Sequence, residues 1–282
     1  MNVAQLLDDA TARIAAALGL EKREARLEAR VLASHTWGVD AAWLIAHDTD
    51  ALSDSQIAAF QSLLSQRLQG RPIAYLVGMR EFYGRPFQVS PDVLIPRPDT
   101  ELLVELALAR LPPDQPMDVL DLGTGSGCIA ITLALERPLA RVTAVDRSAT
   151  ALTIAQRNAD NLNAHVEFLI SDWFAAFAGR RFDLIVGNPP YIAQTDPHLA
   201  RGDVRFEPMT ALAAGHDGLD DLRRLIPAAC AHLNPGGSLL LEHGYDQAEA
   251  VQPLLRMNRI QPTQSWADLA GILRVSGGKL SK

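Results

Sequence analysis

From Glu101 onward, short apolar runs alternate with segments at helical spacing, and this alternation is what most narrows the folds open to the chain. Runs at 117–122, 141–146, 166–170, 182–187 and 238–242 read as strands, closed by turn residues such as Gly123, Asp146, Ser171 and Gly187. Strands separated by helices cannot be joined by hairpins, so they line up parallel with helices covering both faces. A closing pair, 260–266 and 271–275, has a connection too short for a crossover and is read as antiparallel. The expected fold is α/β: a Rossmann-like domain over 99–282 with a seven-stranded, mostly parallel sheet. Ligands of such sheets bind beyond the carboxyl ends of the strands, so the chemistry is sought there.

Ahead of this domain the pattern is helical. Val3, Leu6, Leu7, Ala10, Ile14, Ala17 and Leu18 recur on one helix face and Gly19 ends the run; a second helix is expected over 22–35. Ser53 with Gln56 three positions on is a capping box leading into Ile57, Phe60, Leu63, Leu64 and Leu68, and Gly70-Arg71-Pro72 follows as a stop. Residues 1–73 are expected to form a small all-α bundle. Residues 74–98, rich in aromatic, Gly and Pro residues, are expected to be a β-hairpin or linker rather than another helix.

Charge narrows the partners. The formal net charge is −7, and residues 1–72 carry seven Lys or Arg against nine Asp or Glu, a poor surface for a phosphate backbone. No apolar run approaches the roughly 20 residues of a membrane span. The first residues, with Asp8 and Asp9, lack the basic start and apolar core of a secretion signal. Cys128 and Cys230 alone make neither a disulfide framework nor a cysteine-rich zinc site, and the seven histidines show no metal-ligand spacing. A cytoplasmic protein without a metal is expected.

Two stretches carry the chemistry. Val119-Leu120-Asp121-Leu122 runs into Gly123-Thr124-Gly125-Ser126-Gly127 and then a helix: glycines let the main chain pass close to a ligand, and a helix start offers free N–H donors. Asp146 closes the next strand, where a carboxylate can accept from both hydroxyls of a ribose, and a third strand ends at Asp172-Trp173, an acceptor beside an aromatic plate that suits adenine. Taken singly, the turn is a strand-to-helix connection, Asp146 a helix cap and Trp173 core; three such coincidences at successive strand ends read as a nucleoside site. The spacing is neither G-x-G-x-x-G nor a phosphate loop, which counts against hydride and phosphoryl transfer.

The second stretch is Asn188-Pro189-Pro190-Tyr191, directly after a strand. Successive prolines have no N–H and fix their own φ, so the strand ends and its carbonyls are left as acceptors. The Asn188 side-chain oxygen, the Pro189 carbonyl and the Tyr191 ring together suit a planar group bearing NH2, an amide or an exocyclic amine. The plain alternative is a strand-terminating turn.

These motifs resemble those of the class I S-adenosylmethionine-dependent methyltransferases. With Tyr75-Leu76-Val77-Gly78-Met79-Arg80-Glu81-Phe82-Tyr83-Gly84, Val93-Leu94-Ile95-Pro96-Arg97-Pro98-Asp99-Thr100-Glu101 and Phe206-Glu207-Pro208-Met209-Thr210-Ala211-Leu212, the whole chain is similar to the protein-glutamine N5-methyltransferases of bacterial peptide chain release factors. The resemblance implies S-adenosyl-L-methionine as cofactor and the glutamine of a release factor's Gly-Gly-Gln motif as substrate. It implies a cofactor site of Gly123, Thr124, Gly125, Ser126, Gly127, Asp146, Asp172, Trp173 and Asn188. Asn188, Pro189, Pro190, Tyr191 and Arg97 are implied on the substrate side, with Asn188, Pro189 and Tyr191 catalytic. It further implies that 1–73 binds the release factor; a monomer is expected from the absence of an obvious association motif. The rival activity is methylation of adenine N6 in DNA or RNA, since a flipped adenine offers the same planar NH2; a non-catalytic nucleoside-binding protein is a second.

Overall fold

The computed structural model describes residues 1–281. The chain forms two compact units, one of residues 1–79 with 200–206, the other of residues 80–199 with those from Glu207 onward.

The first unit is helical: α1 (Val3–Leu18), α2 (Lys22–Trp37), α3 (Ala41–Ala46), α4 (Asp54–Leu68) and α5 (Ile73–Val77). Caps set the ends. Asn2 and Gln5 exchange side-chain-to-backbone hydrogen bonds at the start of α1, as Ser53 and Gln56 do at the start of α4, and Gly19 ends α1 at φ 67°. Leu6, Ala10, Ile14, Ala29, Leu32, Phe60 and Leu64 form the core. Ala17, expected on the buried face, is exposed; one methyl has little area to gain from cover. Two helices go beyond the sequence reading. Asp40 caps α3, accepting from the Trp43 amide at 2.7 Å. At Ile73–Val77, where a hairpin or linker was expected, Pro72 and Gly78 act as helix start and stop rather than as turn punctuation. The hairpin follows, as β1 (Met79–Phe82) and β2 (Arg85–Gln88).

Arg67 ties the 200–206 segment into this unit. It is 3% exposed and donates to both carboxylate oxygens of Glu28 at 2.7 and 2.8 Å, to the Arg71 carbonyl at 3.0 Å and to Asp203 at 2.9 Å. The planar fork satisfies the paired carboxylate geometry that a lysine could not.

In the second unit a 3-10 turn at Pro98–Thr100 leads to α6 (Glu101–Leu108), then β3 (Asp118–Leu122), α7 (Cys128–Glu136), β4 (Arg141–Asp146), α8 (Ala149–Leu162), β5 (Val166–Ile170), β6 (Phe182–Gly187), α9 (Asp220–His232), β7 (Leu233–Glu242), α10 (Ala248–Met257), β8 (Gln264–Ala267) and β9 (Leu273–Lys279). The sheet order is β5-β4-β3-β6-β7-β9-β8, parallel from β5 to β7 and antiparallel in its last two pairings. Alternate residues face opposite layers. Val119, Leu184, Val186 and Leu240 pack under α6 and α7, while Leu120, Leu122, Ile185, Leu239 and Leu241 pack against α9 and α10. Strand β7 starts earlier than expected, because Leu233 pairs with Phe182 before an irregularity lets Ser238 pair with Leu184. The closing strands begin later than expected, and Ile260 lies outside them, joined to Leu280 by an isolated bridge.

Chain order runs outward from β3 through β4 to β5 and, on the other side, from β6 to β7, with β3 and β6 side by side and Leu122 opposite Gly187. That is the switch point at which a crevice opens.

Candidate active site

A cleft with about 770 Å³ of empty space, its open mouth included, lies beyond the carboxyl ends of β3 to β6. Its walls bring together Gly123, Gly125, Asp146, Asp172, Trp173, Asn188 and Pro190 of the residues singled out from the sequence.

The turn after β3 is built by its glycines. Gly123, Gly125 and Gly127 sit at φ of 71°, 55° and 84°, a region where an L side chain is strained. They differ in what surrounds them. A Cβ on Gly127 would lie 2.7 Å from Ile131 Cδ1 and 3.1 Å from the Ala155 methyl, and one on Gly123 would lie 3.3 Å from the Trp173 ring, whereas one on Gly125 would meet no atom within 4 Å. Asp146 fastens the turn from the next strand. One of its oxygens accepts from the Gly125 amide and the other from the Ser148 amide, each at 2.9 Å, and each keeps a lone pair.

Beneath the turn, Asp121 is fully buried. It accepts from the Thr124 hydroxyl at 2.6 Å through Oδ2, while Oδ1 has no hydrogen-bond partner. Burial pushes its carboxyl up to about 7, against the pull of the Thr124 hydroxyl.

Trp173 holds φ 52°, and a local bridge stabilises that conformation: the Ser171 hydroxyl donates to the Trp173 carbonyl at 2.8 Å and accepts from the Ala176 amide at 3.0 Å. Asp172 is exposed and paired with Arg224 at 3.1 Å, a surface pair of little energetic weight. Asp221, which also lines the cleft, is raised by burial, with Arg224 and the Trp173 indole pulling it down.

The 188–191 tetrapeptide closes the opposite wall. The Asn188 side-chain amide donates to the Thr100 hydroxyl oxygen at 3.3 Å through Nδ2, and no side-chain bond engages its Oδ1 among the described residues. Tyr191 donates its hydroxyl to Glu242 Oε1 at 3.3 Å, and its carbonyl accepts from Gln247 at 2.9 Å. Glu242 is 1% exposed, and its Oε2 has no hydrogen-bond partner. Burial lifts its carboxyl to about 7, with the Thr100 and Tyr191 hydroxyls pulling the other way. Burial and the Glu242 charge both raise the Tyr191 phenol, so it stays protonated.

Thr124, Ser126, Gly127, Pro189, Tyr191 and Arg97 do not line the cleft. Thr124, Ser126 and Gly127 build the turn from behind, and Pro189 is buried at the tetrapeptide's root. Arg97 is paired with the fully buried carboxylate of Glu207, whose other oxygen accepts from the Ile95 amide at 3.1 Å. Sequence reasoning assigned no role to Asp221 or Glu242. An acid ending β7 was visible as the last residue of an apolar run, but its burial was not.

Residues 99–203 match the methyltransferase small domain family and residues 5–78 the PrmC N-terminal domain family. The chain is 54% identical over 256 residues to a release factor glutamine methyltransferase of Bordetella pertussis, covering 90% of this chain and 95% of that protein. It is 48% identical over 257 residues to the release factor glutamine methyltransferase of Escherichia coli, with coverage of 90% and 92%. Among solved structures it is similar to the 16S rRNA N2 G1207 methyltransferase of T. thermophilus in complex with AdoMet and guanosine. There the TM-score is 0.55 at 23% identity, over 72% of this chain and 50% of that one, a likeness of fold.

Proposed function

The chain belongs to the release factor glutamine methyltransferase family, and from that premise we infer that it transfers a methyl group from S-adenosyl-L-methionine to N5 of the glutamine in the Gly-Gly-Gln motif of a peptide chain release factor. The observation that carries this reading is the meeting, in one cleft at the β3/β6 switch point, of Gly123 and Gly125 from the glycine turn with Asn188 and Pro190 from the tetrapeptide.

The residues present fit the cofactor. The space beside Gly125, which a Cβ could enter without touching protein, leaves room for a ligand against the main chain. Asp146 would accept from the ribose hydroxyls with its remaining lone pairs, Asp172 and Trp173 would hold the adenine, and the turn of Gly123, Thr124, Gly125, Ser126 and Gly127, with Asn188, would border the rest. When bound, S-adenosyl-L-methionine would supply an electrophilic sulfonium methyl, with the neutral thioether S-adenosylhomocysteine as leaving group and one N–H proton lost from the methylated amide.

The protein's own part is orientation. An amide nitrogen is a poor nucleophile because its lone pair is delocalised, so holding it in line is the main lever. Asn188 Oδ1 and the Pro189 carbonyl accept the two amide hydrogens and favour pyramidalisation of the nitrogen, Pro190 walls the site, and the Tyr191 ring packs on the amide plane. Arg97, held by Glu207 yet one-third exposed, keeps donors free for the incoming peptide. The helical unit is assigned the task of binding the release factor. The same reading includes a monomeric cytoplasmic enzyme that contacts no nucleic acid directly; the net charge of −7 supports this, and among the described residues no helix is long and apolar enough to cross a membrane.

The test is incubation with methyl-labelled cofactor and a release factor, its Gln-to-Ala variant, or DNA. Label is expected on the first alone; label on DNA would establish the adenine activity instead. Asn188→Ala is expected to lower turnover about 100-fold or more while cofactor affinity changes less than about threefold, and undiminished turnover would remove Asn188 from the mechanism.

A further inference from the structure

An asparagine amide can seat itself either way round. The two orientations differ by a 180° flip that exchanges an acceptor for a donor at almost no steric cost, so something must decide which end of Asn188 meets the substrate. Methyl transfer to an amide nitrogen needs the acceptor. If Nδ2 faced the substrate NH2, two donors would oppose each other and the bond that holds the nitrogen in line would become a repulsion.

The groups that decide lie outside the tetrapeptide. Thr100 is 2% exposed, and its hydroxyl oxygen accepts from Asn188 Nδ2 at 3.3 Å. A threonine hydroxyl is itself ambiguous, since it can donate or accept, and it fixes the amide only if its proton is taken elsewhere. The Thr100 hydroxyl is one of the groups that pull the buried Glu242 carboxyl down, which makes Glu242 the acid to take that proton, and the same carboxylate accepts from the Tyr191 hydroxyl at 3.3 Å. One acid at the end of β7 thus sits behind both Asn188, through Thr100, and Tyr191, directly. Its Oε2, which has no partner of its own, leaves it with acceptor capacity in reserve and nothing to donate when ionised. A buried acid is costly to keep.

We infer that Thr100 and Glu242 are positioning residues of the methyl transfer, with Glu242 orienting the Thr100 hydroxyl so that its oxygen holds Asn188 Nδ2 and Asn188 Oδ1 is turned toward the substrate amide, and with the same carboxylate anchoring Tyr191. This rests on the methyl-transfer reading above. Neither residue touches substrate or cofactor; both act through the tetrapeptide.

Thr100→Val removes the hydroxyl and keeps the shape. Its turnover is expected to fall about tenfold or more, with KM for the release factor and Kd for the cofactor within about twofold of the wild type. Thr100→Ser, which restores the hydroxyl, is expected to recover most of the loss. The deciding measurement is a double-mutant cycle: in an Asn188→Ala background, Thr100→Val is expected to cost nothing further, because the residue it orients is gone. Full additivity of the two losses would mean that Thr100 acts by another route and would overturn the inference, as would wild-type turnover in Thr100→Val. Should the valine variant fail to fold, Glu242→Gln tests the same chain of contacts, since its new NH2 competes for the Thr100 oxygen. Reduced turnover with cofactor affinity retained supports the inference, and unchanged turnover overturns it. A wild-type enzyme that methylates no release factor would remove the functional reading and this inference together; an active wild type with an indifferent Thr100→Val would remove the inference alone.

Discussion

The three glycines of the 123–127 turn look equivalent in sequence, yet the structure separates them, and alanine substitution at two of them is expected to fail in opposite ways. Gly127→Ala places a methyl 2.7 Å from Ile131 Cδ1 and 3.1 Å from the Ala155 methyl at φ 84°. The left-handed backbone costs a non-glycine residue about 1–2 kcal/mol, overpacking adds about 1–3, and the lower entropy of the unfolded alanine chain returns about 0.4–1. The net is about 1–5 kcal/mol, which for a unit of this size lowers Tm by roughly 6–12 °C at the middle of that range. Gly125→Ala carries the same kind of backbone strain at φ 55° but meets no protein atom, so its stability loss is about 1 kcal/mol. Its methyl instead occupies space at the cleft wall, and cofactor Kd is expected to rise at least about tenfold, or about 1.4 kcal/mol. Urea unfolding and calorimetric titration with S-adenosyl-L-methionine measure the two effects separately. A Gly125→Ala variant that binds as tightly as the wild type, or a Gly127→Ala variant that keeps its stability, would refute the division of labour.

Two further outcomes follow from buried charges. Arg67→Met leaves the Glu28 and Asp203 carboxylates without their shared cation and is expected to cost the helical unit about 3 kcal/mol, with hydrogen exchange rising across 200–206; a loss below about 1 kcal/mol by urea unfolding would make the cluster energetically idle. Asp121 and Glu242 are each held at about 7 by burial, above their ordinary 3.8 and 4.5, so the folded chain keeps protons that the unfolded chain has already released. Their contribution is fully present below about pH 4 and declines as pH rises to about 7, at a slope of about 1.4 kcal/mol per pH unit for each. Asp121→Asn and Glu242→Gln should each flatten the stability curve in that window relative to the wild type, and parallel curves would show that neither acid is raised.

The sequence revealed the sheet best where burial is complete. Strands β4, β5 and β6 begin and end at the expected residues, because each is an apolar run cut off by a residue whose backbone or side chain forbids continuation: Asp146, Ser171, and the prolines after Gly187. The edge was less legible. In β7 to β9 the pairing is antiparallel and interrupted, so register, which no local pattern encodes, sets the limits. The site divides the same way. Gly125, Asp146 and the double proline work through backbone geometry and are readable from residue type, whereas Thr100 and Glu242 stand 142 positions apart (242 − 100), and their burial and the pull of the Thr100 hydroxyl on the Glu242 carboxyl are set by the fold.

An enzyme could activate an amide by removing a proton or by fixing the nitrogen's geometry, and the charges around the cleft favour the second route. Asp146 is committed to two backbone amides and Asp172 to Arg224, while Asp221 in the cleft wall is engaged by the Trp173 indole and Arg224. Glu242 lies buried beyond the Tyr191 hydroxyl, and that hydroxyl is itself held protonated. The acceptors offered by the tetrapeptide are therefore neutral carbonyl oxygens, whose value lies in being fixed before the substrate arrives. Such a pair would serve an adenine amine equally well, so the tetrapeptide cannot by itself select glutamine over a nucleobase. Selection must come from what delivers the NH2 group. A duplex or single strand is captured through its phosphates, with counterion release supplying much of the affinity, and the first 72 residues, with more acids than bases, offer little toward that. A peptide loop makes no such demand: its affinity can come from shape and main-chain hydrogen bonds, which leaves the acidic helical unit free to recognise the rest of a folded protein.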